Sequence, residues 1–234
     1  ALHRMFYLQT TEVTNAQFRQ FHGGHNSGQV ESNSLNREHQ PAVQVSWQQA
    51  AAFCNWLSRR EDLPPFYREE RGIITGFNPA ATGYRLPTEA EWAWAARASG
   101  GGLLKFPWAG DKFPPTLAVE NYADSSSAYV TGRVLSGYTD GHVVSAPVAA
   151  CGPHHHALYE MGGHLAEWVH DVFGIAAPSG TTRLDPQGPQ GGDTFVIRGA
   201  GWTHSRLSEL RLSYRDYGQA GRDDVGFRIA RYAE

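Results

Sequence analysis

The chain contains 234 residues, of which 41% are hydrophobic and 18% are charged, and its formal net charge at pH 7 is -3. A chain of this length can bury one sizeable core, so we expect a single domain over residues 1–234. The charge balance offers no positive field to a polyanion, which argues against nucleic acid as a partner, and no apolar run approaches the ~20 residues needed for membrane insertion.

The first nine residues, Ala1 to Gln9, have neither the basic head nor the apolar stretch of a signal peptide. We therefore expect a soluble protein and favour the cytoplasm over the periplasm or the extracellular space. The two cysteines, Cys54 and Cys151, are too few for a disulfide framework and are not spaced as a metal pair. Cys54 falls in an apolar helical run, which favours a buried free thiol over a bridge.

Three helix starts carry a capping box, in which a hydroxyl accepts a hydrogen bond from a free amide and the residue three positions later reaches back. The pairs are Thr14 with Gln17, Ser46 with Gln49, and Thr88 with Glu91. They predict helices over Asn15 to Phe21, over Trp47 to Arg60, and from Thr88 to about Ala98.

The chain beyond Gly100 reads as loops and short strands. Thr194 to Arg198 and Gly226 to Tyr232 are the best strand candidates, because they are rich in β-branched and aromatic residues. Residues 180–192, GTTRLDPQGPQGG, indicate a long surface excursion. Helices early in the chain and short strands late in it predict an α+β fold.

Several spaced motifs resemble those of the formylglycine-generating enzyme (sulfatase-modifying factor) family. They are Tyr84-Arg85-Leu86-Pro87-Thr88-Glu89-Ala90-Glu91-Trp92, Met161-Gly162-Gly163-His164-Leu165-Ala166-Glu167-Trp168, Arg198-Gly199-Ala200-Gly201-Trp202, Leu210-Arg211-Leu212-Ser213-Tyr214-Arg215 and Val225-Gly226-Phe227-Arg228-Ile229. The resemblance implies a C-type-lectin-like fold, in which helices and irregular loops flank a small twisted antiparallel sheet. It also implies that a short segment precedes Ala1 in the family's pattern.

The resemblance also implies a catalytic position that this chain fills differently. The family's enzymes hold copper with two cysteines, at the second and seventh positions after an aromatic residue that corresponds to Trp202. Those positions are His204 and Glu209 here. Cu(I) is a soft ion that selects thiolates, whereas imidazole and carboxylate are harder ligands, so we expect no copper and no formylglycine generation.

His204 and Glu209 are the candidate catalytic residues if chemistry remains, with a divalent metal that recruits His170, Asp171 or the run His154-His155-His156. Adjacent histidines are more often a solvated loop, and a polar cleft wall is the favoured interpretation of His204 and Glu209. No motif of a nucleophile elbow or of a phosphate-binding loop accompanies them.

Two calcium positions are implied by the same resemblance, and both would be structural. In the first, Asn121 and Asp140 supply side-chain oxygens, and Tyr122 and His142 supply carbonyls. In the second, Glu167 supplies a carboxylate, Gly163 and Leu165 supply carbonyls, and Glu160 stands where the family commonly has Asn or Asp. The alternative is that Asn121 and Asp140 cap turns, and that Glu167 pairs with a neighbouring base.

The leading hypothesis is a non-catalytic or divergent recognition module that binds a protein, a peptide or a small ligand through a cleft around Trp202 to Asp224. Aromatic and charged side chains are the usual anchors of recognition. The candidates are Trp202, His204, Arg206, Glu209, Tyr214, Tyr217, Arg222 and Asp224. Arg211, Arg215 and Arg228 are expected to pair internally with Asp216, Asp223 and Asp224.

Three alternatives remain open at the level of sequence. The chain could be a metal-dependent oxidase or protein-modifying enzyme that uses His204 and Glu209. It could be a variable binding protein diversified by a retroelement, since that class shares the fold and varies in this region. It could also be a sensor domain of a larger protein.

Overall fold

The three capping boxes begin the three longer helices of the computed structural model, which describes residues 1–100, 102–108, 110, 112–175 and 180–233. Helix α1 covers Asn15–Phe21, α2 covers Trp47–Arg60 and α3 covers Glu89–Arg97. In each box the N-cap hydroxyl accepts from the third helical amide, and the Gln or Glu side chain accepts from the N-cap amide. A fourth, short helix, α4, covers Ala128–Thr131, and a 3-10 turn covers His155–Ala157.

The central sheet has four strands in the order β10-β9-β8-β11. These are β8 (Ala166–Val172), β9 (Phe195–Arg198), β10 (Arg215–Gly218) and β11 (Val225–Gly226). The β10–β9 and β9–β8 pairs are antiparallel, but β11 runs parallel to β8. The sheet is therefore antiparallel apart from its β11 edge, where two residues pair in parallel with β8.

Four two-stranded pairs complete the secondary structure. They are β1 (Phe6–Leu8) with β12 (Ala230–Tyr232), β2 (Gln29–Val30) with β3 (Asn33–Ser34), β4 (Tyr67–Glu70) with β5 (Ile73–Phe77), and β6 (Ala98–Ser99) with β7 (Gly102–Leu103). The strand predicted over Gly226 to Tyr232 is two strands, because the chain leaves β8 after Gly226 and joins β1 at Ala230. The overall α+β class is confirmed.

The largest part of the core lies between α1, α2 and the central sheet. Phe18 and Phe53 stack with their ring centroids 5.6 Å apart, and both rings meet the edge of Phe227. Trp47 lies flat on Phe195, with 3.6 Å between the ring centroids. Fully burying one such side chain stabilises the fold by about 1.5–3 kcal/mol, so this aromatic cluster fixes both helices on the sheet.

Two arginine–carboxylate pairs lie inside the protein. Arg85 donates to both oxygens of Glu91, at 2.6 and 2.7 Å, and its guanidinium lies 3.8 Å from the ring centroid of Tyr232. Arg228 donates to both oxygens of Glu167 and to the carbonyls of residues 9, 10 and 159. Because the Arg228 side chain is fully buried, these bonds join the start of the chain to β8 and to the last segment.

Both cysteines are free thiols, and Cys54 is buried in α2 as its apolar surroundings predicted. Burial raises the pKa of its thiol far above the ordinary value. None of the described helices is both long enough and apolar enough to cross a lipid bilayer.

Candidate functional site

A cleft of about 520 Å³ opens beside the segment that follows β9. One wall comes from residues 202–224, which pass from β9 to β11, and the other comes from β2 and α4. The residues that line the cleft are Val30, Val130, Thr131, Arg133, Trp202, Thr203, His204, Glu209, Tyr214, Arg222, Asp223 and Asp224.

Six of the eight predicted ligand-binding residues line this cleft, and Arg206 and Tyr217 do not. Tyr217 lies on β10 and stacks on Phe173, with 4.3 Å between the ring centroids. Trp202 is only 2% exposed, so it forms the floor of the cleft and is not a displayed anchor. The five others are His204, Glu209, Tyr214, Arg222 and Asp224.

His204 is held in one tautomer by its own loop. Its Nδ1 atom accepts a hydrogen bond from the Gly201 amide at 3.1 Å, so in the neutral ring the proton is on Nε2. The ring is buried and meets the edge of Tyr214. Burial lowers the pKa of His204, although the negative charges of Asp224 and Glu209 oppose that effect. Only Nε2 would be available to a ligand or an ion.

Glu209 closes a turn of the backbone. Its Oε2 atom accepts from the Arg206 amide at 3.1 Å, and its Oε1 atom lies 3.6 Å from Arg133 Nη1, across the cleft. Arg133 has a side chain that is 48% exposed, so this ion pair is screened by water and contributes little to stability. The carboxylate therefore joins the two walls of the cleft.

Arg222 holds the third polar group of the cleft together. It donates to both oxygens of Asp224, at 2.8 and 2.9 Å, and to Asp216 Oδ2 at 2.7 Å. Burial alone would raise the pKa of Asp224, but the hydrogen bonds from Arg222 and Thr203 lower it. This corrects the expected pairing, because the arginine that neutralises these aspartates is Arg222.

The other arginines have different partners. Arg215 forms a bidentate pair with Glu89 at the start of α3, with distances of 2.6 and 2.9 Å. Arg228 pairs with Glu167, and Arg211 is exposed. The guanidinium groups that were expected to pair with Asp216, Asp223 and Asp224 therefore lie elsewhere.

The residues proposed to help His204 and Glu209 hold a metal lie outside this cleft. His170 and Asp171 lie on β8, and they line two other depressions. In the histidine run, His154 contacts Glu120 at 2.6 Å, whereas His156 stacks on Trp94 with 4.8 Å between the ring centroids. The described part of the chain brings no third His, Cys, Asp or Glu within ligand distance of His204 and Glu209.

In the first predicted calcium set, the side chains of Asn121 and Asp140 meet, and the backbone amides of Tyr122 and His142 bond to Asp140. The two carboxylate oxygens of Asp140 accept from the amides of Tyr122 and His142, at 2.8 and 2.9 Å, and Asn121 Nδ2 lies 3.2 Å from Asp140 Oδ1. Asn121 Oδ1 is buried, and no described residue donates a hydrogen bond to it. Burial raises the pKa of Asp140, and the nearby Asp124 carboxylate adds to that effect. A cation beside these oxygens would offset both penalties.

The second predicted calcium set does not fit an ion at Glu167. Both oxygens of Glu167 accept from Arg228, at 2.6–3.0 Å, and Oε2 also accepts from Trp92 Nε1 at 2.9 Å. The Gly163 carbonyl accepts from the Leu165 amide at 3.0 Å. The positive charge at Glu167 is therefore the guanidinium of Arg228, which is the alternative that the sequence left open.

Glu160 faces another pair of ionisable groups instead. Glu12, Glu160 and His164 each offer a ligand atom, these atoms lie within 4.8 Å of one another, and all three residues are buried. Burial raises the pKa of Glu160, and Glu12 adds to the effect. The donors of the three side chains are one nitrogen and carboxylate oxygens, which divalent ions accept.

The sequence did not reveal one wall of the cleft, nor Asp124 beside the first predicted calcium set. Val30, Val130, Thr131 and Arg133 come from elements far from residues 202–224, and no local pattern links them to that segment. Asp124 is not a member of the predicted calcium set, yet its Oδ2 atom accepts a hydrogen bond from the Asp140 amide at 2.6 Å. The signal for Asp124 was its spacing from Ser127, which is typical of a turn cap.

Comparison with known proteins gives a family match along almost the entire chain. The family profile described as "Sulfatase-modifying factor enzyme 1-like domain" matches residues 1–233. The formylglycine-generating enzyme of Thermomonospora curvata is 31% identical over 209 residues, which are 85% of this chain and 58% of that protein. The "Inactive C-alpha-formylglycine-generating enzyme 2" of Mus musculus is 28% identical over 199 residues, which are 81% of this chain and 48% of that protein.

Among solved structures, "Treponema denticola variable protein 1" matches with a TM-score of 0.76 at 26% identity, and the match covers 97% of this chain and 84% of that one. The chain thus spans about half the length of the curated relatives that it matches, and most of the length of this structural neighbour.

Proposed function

Because the chain belongs to the sulfatase-modifying factor enzyme 1-like domain family, we propose that it is a recognition module of that family, which binds a protein or peptide in the cleft between residues 202–224 and α4 without chemistry at His204 and Glu209. One observation carries the proposal. The two groups at the positions of the family's cysteines are already engaged by the fold, His204 Nδ1 with the Gly201 amide and Glu209 with the Arg206 amide.

The family context is compatible with either outcome, since relatives named as active and as inactive formylglycine-generating enzymes both match. The chemistry of the donors favours the inactive one. Imidazole and carboxylate bind Cu(I) weakly compared with two thiolates. The described residues also supply no third His, Cys, Asp or Glu for a harder ion at this place, which disfavours the metal-dependent oxidase.

The cleft offers contacts of three kinds to a bound chain. Arg133 presents a half-exposed guanidinium, Val30 and Val130 present aliphatic surface, and Tyr214 presents a ring with its hydroxyl. Arg222 is neutralised by its own aspartates and is pre-organised, so it loses little conformational freedom on binding. We infer that a peptide segment with a hydrogen-bonding group beside an apolar one is the preferred ligand.

The test is selection from a displayed library of random peptides on the full chain. Peptides selected by the wild type should lose most of their binding to the variants Tyr214→Ala and Arg133→Ala. Matched controls are Tyr217→Ala and Arg206→Ala, which remove the same side chains from exposed positions outside the cleft. Equal losses in the controls would contradict a site in this cleft.

Catalysis is tested separately. The purified protein is incubated with copper, oxygen and a cysteine-containing sulfatase peptide, and the peptide mass is followed. We expect no conversion of cysteine to formylglycine, and conversion above a no-protein blank would refute the non-catalytic proposal.

We further propose a structural calcium ion at Asn121, Tyr122, Asp140 and His142. The orphaned Asn121 Oδ1 atom and the raised pKa of Asp140 support it. The ion would tie the segment at residue 121 to the loop at residue 140. Calcium added after chelation should raise the melting temperature of the wild type but not of Asp140→Asn. At a concentration 100 times Kd the gain is about 2.7 kcal/mol.

A second candidate function is a diversified binding protein. The observation in its favour is the TM-score of 0.76 to a structure titled "variable protein 1", which covers almost the whole chain. The test is to sequence this gene in many isolates. Differences concentrated in codons for cleft residues such as Thr203, Glu209 and Asp223 would support it, and an even spread of differences along the gene would refute it.

A further inference from the structure

A buried group of one histidine and two glutamates lies beneath the cleft. Glu12 belongs to the segment between β1 and α1, and Glu160 and His164 belong to the loop that leads into β8. Their side chains are at most 1% exposed, and Glu12 and His164 are separated by 152 positions in the sequence. Three titratable groups this deeply buried need compensation, because each charge taken from water costs several kcal/mol in effect.

The hydrogen bonds of His164 leave one ring nitrogen facing the two glutamates. Its Nε2 atom lies 2.9 Å from the Ala146 carbonyl, which can only accept, so Nε2 carries a proton. Its Nδ1 atom therefore faces the carboxylates, 2.9 Å from Glu12 Oε1 and 3.8 Å from Glu160 Oε2. A histidine that ligates a metal through one nitrogen characteristically donates its other N–H to a backbone carbonyl.

The carboxylates of Glu12 and Glu160 differ in their hydrogen bonds. Glu12 Oε2 is buried and lacks a hydrogen-bond partner among the described residues. Glu160 is steadied by the amides of Ala149 and Cys151, at 2.9 and 3.4 Å, so its carboxylate is fixed in place by backbone donors. A proton on His164 Nδ1 would satisfy Glu12 Oε1 alone and leave Glu12 Oε2 unpaired.

We propose that Glu12, Glu160 and His164 form a structural site for one divalent transition-metal ion, with Zn²⁺ as the best fit. Ligand atoms about 2.0–2.1 Å from a tetrahedral zinc lie about 3.3 Å apart, and the two Nδ1–oxygen separations of 2.9 and 3.8 Å bracket that value. The donor set contains an imidazole nitrogen, which calcium rarely accepts and zinc favours. This set shares only Glu160 with the calcium positions, and Glu167 is bound to Arg228.

The ion would hold the floor of the cleft in place through His164. The His164 carbonyl accepts from the Trp202 amide at 3.1 Å, and the His164 amide donates to the Asn121 carbonyl at 2.9 Å. Fixing the His164 side chain to Glu12 therefore fixes the floor of the cleft to the start of the chain. The inference does not depend on whether the cleft binds a ligand.

The experiment uses the full chain, freed of metal by chelation at neutral pH and checked for folding by near-ultraviolet circular dichroism. Zn²⁺ is titrated against a chromogenic chelator, and Co²⁺ is added separately for its visible spectrum. We expect one ion per chain and the intense visible bands of a tetrahedral cobalt site. The variants His164→Gln and Glu160→Gln should bind at least about 100-fold more weakly. The matched control His154→Gln, another histidine paired with a glutamate, should bind like the wild type.

Several results would overturn the proposal. They are the absence of stoichiometric Zn²⁺ and Co²⁺ binding by the folded wild type, an octahedral cobalt spectrum, or equal affinity in His164→Gln and in the wild type. Displacement of the bound Zn²⁺ by calcium in the variant Asp140→Asn, which lacks the proposed calcium site, would also overturn it. If the substituted variants fail to fold, the wild-type stoichiometry and cobalt spectrum decide the question, because neither needs a variant.

Discussion

His204 stands where the family resemblance implies a copper-binding cysteine, and its side chain bonds to the backbone of its own loop. The ring is turned so that Nδ1 accepts from the Gly201 amide, and its second nitrogen is the only one free for a ligand. Glu209 is engaged in the same way by the Arg206 amide. Each of the two side chains therefore accepts a hydrogen bond from the backbone of the cleft wall.

A prediction follows for the two positions together. The double variant His204→Cys with Glu209→Cys should gain tight binding of Cu(I), because two thiolates are the soft ligands that this ion selects. Competition with a chromogenic Cu(I) chelator measures the affinity. The single variant His204→Cys is the control and should bind much more weakly. If the double variant does not exceed the control, the two positions do not correspond to the copper site.

His170 should make the protein sensitive to acid. Burial, reinforced by Arg85, lowers the pKa of His170 from 6.5 to about 3, and Tyr67 Oη lies 3.2 Å from its Nδ1. A histidine with a lowered folded pKa stabilises the fold above pH 6.5. That stability is lost as the pH falls toward 3, by up to roughly 1.4 kcal/mol per pH unit.

The measurement is the free energy of unfolding by urea between pH 7 and pH 4. In His170→Asn the amide oxygen can replace Nδ1 as acceptor, so the variant should show a shallower decline with acid than the wild type. His39→Asn, at an exposed position, is the control. An unchanged slope in His170→Asn would contradict the assignment.

At the scale of elements, the helices were predictable and some strands were not. The boundaries of α1 and α2 follow from capping boxes, which act within four residues and can be read from the sequence. Strand β8 was missed because all but its last residue are buried, so it lacks the alternation of a strand with one wet face. The hairpin β4–β5 was missed because the last three residues of β4 are all charged and exposed, so this strand also lacks alternation.

The capping box of α2 allows a quantitative test. Ser46→Ala removes the acceptor for the Gln49 amide, 3.2 Å away, and should lower the free energy of unfolding by about 1 kcal/mol. Thermal and urea unfolding measure the change. Ser208→Ala, an exposed serine outside any helix, should be nearly neutral. A loss in Ser46→Ala no larger than in this control would mean that the cap contributes little to α2.

Unlike the helix boundaries, the candidate sites could be predicted from the sequence only in part. The family resemblance pointed to residues 202–224 and to the neighbouring side chains of Asn121 and Asp140, but the opposite wall of the cleft and Glu12 come from distant parts of the chain. Glu12 lies next to the segment of Gln9 and Thr10, whose carbonyls Arg228 holds near Glu167 on β8, and this brings Glu12 to His164. No spacing within a sequence window encodes such a meeting, and a single sequence offers no covariation to reveal it.

At the scale of the whole molecule, the Glu167–Arg228 pair is the main polar connection in the interior. Removing one partner leaves a buried charge without compensation, so Glu167→Leu or Arg228→Met alone should cost about 3–5 kcal/mol. The double variant Glu167→Leu with Arg228→Met should lose less than the sum of the single losses, because no unpaired charge remains. Urea unfolding of the four proteins gives the coupling energy.

Two features complicate the double variant. Trp92 also donates to Glu167, and Arg228 also donates to three backbone carbonyls, so some loss persists even when both charges are removed. Strictly additive losses would show that the two side chains stabilise the fold independently and would contradict the ion-pair interpretation.

The antiparallel pairing of β1 with β12 determines how the molecule responds when its two ends are pulled apart. Phe6 pairs with Tyr232 and Leu8 with Ala230, so tension on this strand pair separates the residue pairs one at a time, beginning with Phe6 and Tyr232. Separating residue pairs in turn requires only a low force. The force then acts on Arg228, which donates hydrogen bonds to the carbonyls of Gln9 and Thr10. The force needed for further extension should rise abruptly at this point.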